Sequence, residues 1–192
     1  MNPEKLSMRK IAFEEHPWPD VPHLVLTPED TSPRGCVEAL LEATRDLAAL
    51  FAAHPDIDED EPWFGWAFQR GDEMASEASV FTEAVAEPDC RPLLDTYVQR
   101  VIAFFKETDA EPGFYVHEEK EAASDALRLL VAAEPDAYFE RYLEFLQAVD
   151  LEHTVAQHGN VTFLAGKLSD EQRERLREVL AATSGGHHFS GL

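Results

Sequence analysis

Residues 136–149 read Asp136-Ala137-Tyr138-Phe139-Glu140-Arg141-Tyr142-Leu143-Glu144-Phe145-Leu146-Gln147-Ala148-Val149. Phe139, Tyr142, Leu143, Phe145, Leu146 and Val149 recur at helical spacing and cover more than half the circumference. An apolar face that wide predicts a helix at the centre of a bundle. Pro135 suits the first turn of that helix and ends the one before it.

Working toward the N-terminus, a helix is expected over 118–133, with Ala122, Ala126, Leu127, Leu130 and Val131 inward. The helix–proline–helix join at 129–138 has no second copy at the ~34-residue period of a helical repeat array, so an ordinary antiparallel pair accounts for it. Further helices are expected over 91–107, with Leu94, Val98, Val101, Ile102 and Phe105 on one face, and over 72–86, with Met74, Ala78, Phe81 and Val85 inward. Another is expected over 33–53, with Val37, Leu40, Leu41, Leu47, Leu50 and Phe51 inward. Toward the C-terminus, a short helix is expected over 150–157, with Gly159 as its stop. A short strand or buried linker follows over 161–165, then a helix over 169–182. Ser169 and Gln172 stand at the spacing of a capping box at the start of that last helix.

Residues 1–32 carry Pro3, Pro17, Pro19, Pro22 and Pro28, which exclude a long helix. Residues 10–13 and 23–27 could form short strands. The expected architecture is all-α or α-dominated. It is a single bundle of about six or seven helices over 33–183, with an extended Pro-rich arm over 1–32, a flexible tail over 184–192, and at most one short strand pair.

The chain has 192 residues, 44% hydrophobic and 28% charged, which suits one globular domain without staples. No apolar run approaches the ~18 residues of a membrane span, and the N-terminus lacks a signal-peptide core, so a cytoplasmic location is expected. Cys36 and Cys90 form no metal or redox motif and are expected as buried free thiols.

The charge is the unusual quantity. Asp and Glu number 38 against 16 Lys and Arg, a net charge of −22. Residues 35–149 carry −18 of it. Such a field repels nucleic-acid phosphates and anionic lipid and speeds encounter with basic partners. It also serves solubility or life at high salt, and 5 Lys beside 11 Arg fits either a GC-rich genome or a salty cytoplasm.

Candidate chemistry is sparse. Asp56, Asp58 and Asp60 have the 1-3-5 spacing of a calcium loop, but Glu61 and Ala67 stand where such a loop needs Gly and a bidentate Glu. Asp150 with His153, and His117 beside Glu118 and Glu119, are carboxylate–imidazole groups without the paired Glu-x-x-His motifs of a metal-bridged bundle. No nucleophile elbow or phosphate loop is present, so neither catalysis nor a cofactor or metal is expected. The densest aromatic run, Trp63-Phe64-Gly65-Trp66-Ala67-Phe68, directly follows the acidic stretch. As a core plug it anchors a loop. As an interface, Asp56, Asp58, Glu59, Asp60, Glu61, Trp63, Phe64 and Trp66 would meet a basic, apolar patch.

The expected function is therefore an acidic cytoplasmic protein-binding domain that docks a basic partner, in one form an inhibitor of a toxin or nucleic-acid-directed enzyme. In size, acidity and want of catalytic motifs it is similar to bacterial immunity and antitoxin proteins, a likeness of class that no shared motif carries. The alternatives are an adaptor domain whose acidity serves solubility, and a metal-dependent enzyme built on Asp150, His153 or His117.

Overall fold

The proline-punctuated N-terminal segment is not an arm laid over a bundle: it supplies two strands of a sheet. The computed structural model describes residues 6–12, 21–53, 65–107, 114–149, 155–183 and 189. Strands β1 (Leu6–Ile11) and β2 (Val21–Leu26) pair antiparallel, from Leu6↔Leu26 to Ile11↔Val21. β2 pairs parallel with β3 (Gly65–Arg70), His23 opposite Gly65 and Leu26 opposite Phe68. β3 turns back into β4 (Glu73–Ser76), giving a four-stranded mixed sheet in the order β1-β2-β3-β4. The expected single bundle with one short strand pair is corrected to a helical body carrying this sheet.

The miss has a physical source. His23, Leu24, Val25 and Leu26 are all buried, as are Trp66, Ala67 and Phe68. Central strands covered on both faces lose the alternation by which strands are recognised. A parallel pair also needs a long crossover, so no hairpin signal joins β2 to β3. β4 hides at the start of the helix expected over 72–86. Gly71 takes φ 65° in the Gly71-Asp72 hairpin loop, and the helix begins four residues later than the hairpin's return, capped by Ser76.

Eight helices are present among the described residues. The crossover from β2 carries α1 (Pro33–Ala43) and α2 (Leu47–Ala53), expected as one helix. The Thr44-Arg45-Asp46 segment divides them. Thr44 Oγ1 turns back to donate to the Leu40 carbonyl at 2.7 Å. Asp46 Oδ1 accepts from Ala49 N at 2.9 Å and so caps a new helix. After β4 come α3 (Glu77–Ala86), a 3-10 turn at Pro88–Cys90, α4 (Arg91–Glu107), α5 (Phe114–Ala133), α6 (Pro135–Ala148), α7 (Val155–Ala165) and α8 (Asp170–Ala182). None of them is long and apolar enough to cross a membrane.

α5 is the hub. It packs on α3, α4, α6, α7 and β3. Its buried line runs Ala122, Ala123, Ala126, Leu127, Leu130 and Val131. The small residues let neighbouring backbones approach closely, and the larger ones fill the seam beyond. α6 has the wide apolar face expected of it, and packs on α5, α4 and α8. The central position belongs to its neighbour.

α7 overrides its own sequence. A stop at Gly159 and a short strand or buried linker over 161–165 are expected, yet one helix runs through both. Val161 and Leu164 are buried, and the buried Asn160 donates to Ser124 Oγ at 2.9 Å and Asp125 Oδ1 at 3.0 Å on α5. Docking outweighs the ~1 kcal/mol cost of an interior glycine. The capping box of α8 forms as read: Gln172 N donates to Ser169 Oγ, and Ser169 N donates to Gln172 Oε1. The expected tail holds one anchor, since Phe189 is buried in the core. Residues 184–188 and 190–192 lie outside the described residues.

Two glycines test this packing. At Gly35 an added Cβ would lie 2.1 Å from the Asp30 carbonyl oxygen, whereas at Gly71 it meets nothing within 4 Å. Gly71→Ala should cost about 1 kcal/mol for its left-handed backbone. Gly35→Ala should cost visibly more, because the loop before α1 must move. Urea midpoints of the two variants rank the effects.

Candidate functional site

A cluster of surface carboxylates lies where β2 hands over to α1. Asp30 Oδ1 accepts from Ser32 N at 2.9 Å, folding the loop back. Ser32 then caps α1, its Oγ accepting from Gly35 N at 3.1 Å, with Pro33 in the first turn. Gly35 allows the Asp30 backbone to lie against the helix. This tight entry brings Glu29 and Asp30 beside the Glu38–Glu42 edge of α1.

The result is a groove of about 300 Å³. Glu29, Asp30, Glu38 and Glu42 supply its carboxylates, and Leu26, Pro28 and Ala39 supply apolar wall. The backbone and hydroxyl of Ser32 hold the Asp30 carboxyl below its usual range. Arg34 Nε donates to Glu38 Oε1 at 2.8 Å, and Arg45 pairs with Glu42. Both pairs are solvent-exposed, so each is worth at most about 1 kcal/mol and yields readily to a better cation. A second groove of about 260 Å³ shares Glu42 and adds Asp46, with Leu6, Ala49 and Leu50 as apolar lining.

Other arginines among the described residues are engaged in ion pairs as well. Arg70 pairs with Glu83, Arg91 with Glu134, Arg128 with Asp125, Arg141 with Asp95 and Glu144, Arg173 with Asp170, Arg175 with Glu140, and Arg177 with Glu174.

Of the interface residues read from the sequence, Trp66 is placed and it is not on the surface. It is 1% exposed in β3. Its backbone N donates to Glu77 Oε2 at 3.0 Å, and its indole Nε1 donates to Glu119 Oε2 at 3.0 Å. Trp66 is thus corrected from docking anchor to core plug. Asp56, Asp58, Glu59, Asp60, Glu61, Trp63 and Phe64 lie outside the described residues, as do Asp150, His153 and the side chains of His117 and Glu118. Glu29, Asp30, Glu38 and Glu42 were not singled out by sequence. The i, i+4 spacing of Glu38 and Glu42 is visible there, but the folded-back loop that joins them to Glu29 and Asp30 is not.

Around Trp66 lies a buried polar cluster. Glu119, on α5, is 1% exposed, and Tyr97, on α4, is fully buried. Burial pushes the Glu119 carboxyl up to about 7, against the lowering influence of Tyr97 and Trp66. Burial, with Glu119 and Glu77 nearby, drives the Tyr97 phenol far above its ordinary range. Glu119 Oε1 and the Tyr97 hydroxyl are close enough to influence one another, yet neither is aligned in a hydrogen bond.

Both cysteines are free and buried. Arg70 Nε donates to Cys36 Sγ at 3.4 Å, but burial outweighs it and raises the thiol. Burial and Glu87 push Cys90 up to about 11. Neither environment makes a thiolate nucleophile. Among the described residues no group of three or more His, Cys, Asp or Glu is disposed to hold a metal ion. Comparison with protein-family models, with curated proteins and with solved structures returns no match.

Trp66→Phe removes the indole donor of Glu119 and also leaves a cavity where the larger ring stood, which adds its own cost. Leaving that carboxyl without a donor should cost about 1–3 kcal/mol. Urea unfolding at neutral pH measures the loss.

Proposed function

We propose that this chain is an acidic protein-binding domain that docks a basic protein partner, with the groove between the β2–α1 loop and α1 as its recognition site. The observation that carries the reading is the pairing of four carboxylates, Glu29, Asp30, Glu38 and Glu42, with an apolar wall in one concavity. A guanidinium or ammonium head meets the carboxylates, and its aliphatic stem lies along Leu26, Pro28 and Ala39. The overall charge of −22 steers a basic surface toward the domain from a distance, and the groove fixes its register.

In its most concrete form the domain is an inhibitor of the immunity or antitoxin type. It covers the basic active surface of a toxin or nucleic-acid-directed enzyme inside a bacterial cytoplasm. The acidic stretch 56–61 begins three residues after α2 in the sequence and would extend the same acidic character. Trp66 takes no direct part, because it is committed to the core.

The competing reading is an adaptor domain whose acidity serves solubility. Exposed carboxylates on α4, α6 and α8, such as Glu107, Asp136 and Glu178, favour it.

Capture from the native organism at about 50 and about 300 mM salt separates the two, since screening weakens steering between exposed charges. The expected result is a stoichiometric basic protein, held at low salt and weakened at high salt. The double variant Glu38→Lys/Glu42→Lys should lose it by at least about tenfold in affinity, while a distant Glu178→Lys keeps it. Equal loss in both variants would assign the binding to net charge and not to the groove. No partner at either salt would leave the solubility reading standing.

A further inference from the structure

Among the described residues, the core holds a carboxyl that no cation answers. Glu119 projects from α5 into the seam where α4 and β3 meet that helix, and it is 1% exposed. Its Oε2 accepts from the Trp66 indole at 3.0 Å. Its Oε1 makes no hydrogen bond, and the neighbouring Tyr97 hydroxyl makes none either. Both oxygens are sealed from water, and although the Tyr97 hydroxyl carries a proton of its own, no hydrogen bond is aligned between the two.

Among the described side chains the neighbours supply no countercharge; those of His117, Glu118 and residues 155–158 lie outside them. From β3 comes the neutral Trp66 indole, and from α4 comes Tyr97. α3 contributes Glu77, whose negative charge faces Tyr97. On α6 the buried titratable group is Tyr142, shifted by burial alone, and on α7 the buried polar group is Asn160, turned to Ser124 and Asp125. Along α5 itself, Lys120 and Asp125 act on Glu121.

The geometry points to Glu119 as a proton-operated latch. In the folded core it is a neutral carboxylic acid, and losing its proton leaves a charge sealed in the α4–α5–β3 seam and weakens that packing.

The sign follows from linkage. Burial raises Glu119 from 4.5 to about 7 in the folded chain, so between those values the folded state binds more protons than the unfolded one. Its stabilising contribution is complete below the unfolded value and is lost as pH rises through the folded one. Across pH 5 to 8 the unfolding constant should rise by roughly one to two powers of ten from this group.

The test compares urea unfolding of the full chain from pH 5 to 8, at fixed ionic strength, for the wild type and Glu119→Gln, Glu121→Gln and Tyr97→Phe. Glu121 is the control, because burial also raises it to about 7. Glu119→Gln should flatten the slope and gain on the wild type at pH 8. Glu121→Gln should keep the Glu119 contribution. Tyr97→Phe should move the fall to higher pH, since the hydroxyl lowers Glu119. The infrared carbonyl band of a protonated carboxyl, followed at pH 6 in Glu121→Gln, should be present, and this measurement stands even if Glu119→Gln does not fold. A Glu119→Gln slope equal to wild type, a slope abolished by Glu121→Gln alone, or no protonated-carboxyl band would overturn the latch.

Discussion

Everything in this fold leans on the small-residue face of α5. Ala122, Ala123 and Ala126 are each 2% exposed or less, and they let one helix touch four others and the sheet. A leucine at any of them would push a partner outward against interiors packed at crystal-like density. Because α3, α4, α6 and α7 all take their position from this helix, their own apolar faces meet over a common core running from Leu24 and Leu26 on the sheet to Leu176 and Leu180 on α8. The same close approach closes the seam over Glu119 and Tyr97.

The chain handles its carboxylates in two opposite ways. On the surface they outnumber the cations so far that most arginines are drawn into ion pairs, and the remaining acid sets the electrostatic character of the molecule. Inside, Glu119 is held where charge is costly, with a tryptophan donor and a tyrosine but no cation among the described residues. Exposed acid keeps its charge and acts at a distance. Buried acid gives up its charge and acts through the packing around it. One residue type thus shapes both the surface field and the core, with burial deciding which.

Much of the helical body was legible in the sequence because helical signals are local. The extents of α4, α6 and α8 follow from apolar spacing, from Pro135 and from the Ser169 capping box. What was not legible depends on contacts distant in the chain. β2 and β3 are apolar on both faces and joined by a two-helix crossover, so neither periodicity nor a hairpin marks them. α7 is held by Asn160 reaching α5, which no local propensity encodes. Trp66 sits in a run whose composition suits an interface as well as a core, and only the buried carboxyl waiting on α5 decides between them. The groove was half legible: Glu38 and Glu42 announce an acidic helix edge, while the loop geometry that completes it needs Gly35 packed against Asp30.

The parallel pairing of β2 with β3 also bears on the order of assembly. His23 meets Gly65 only after the whole α1–α2 excursion has been closed, whereas α5 and α6 are separated by a single residue, Glu134. Closing the long loop costs chain entropy before its contacts repay any of it. The helical hairpin is therefore the cheaper structure to close, and the pairing of β2 with β3 is the costlier one.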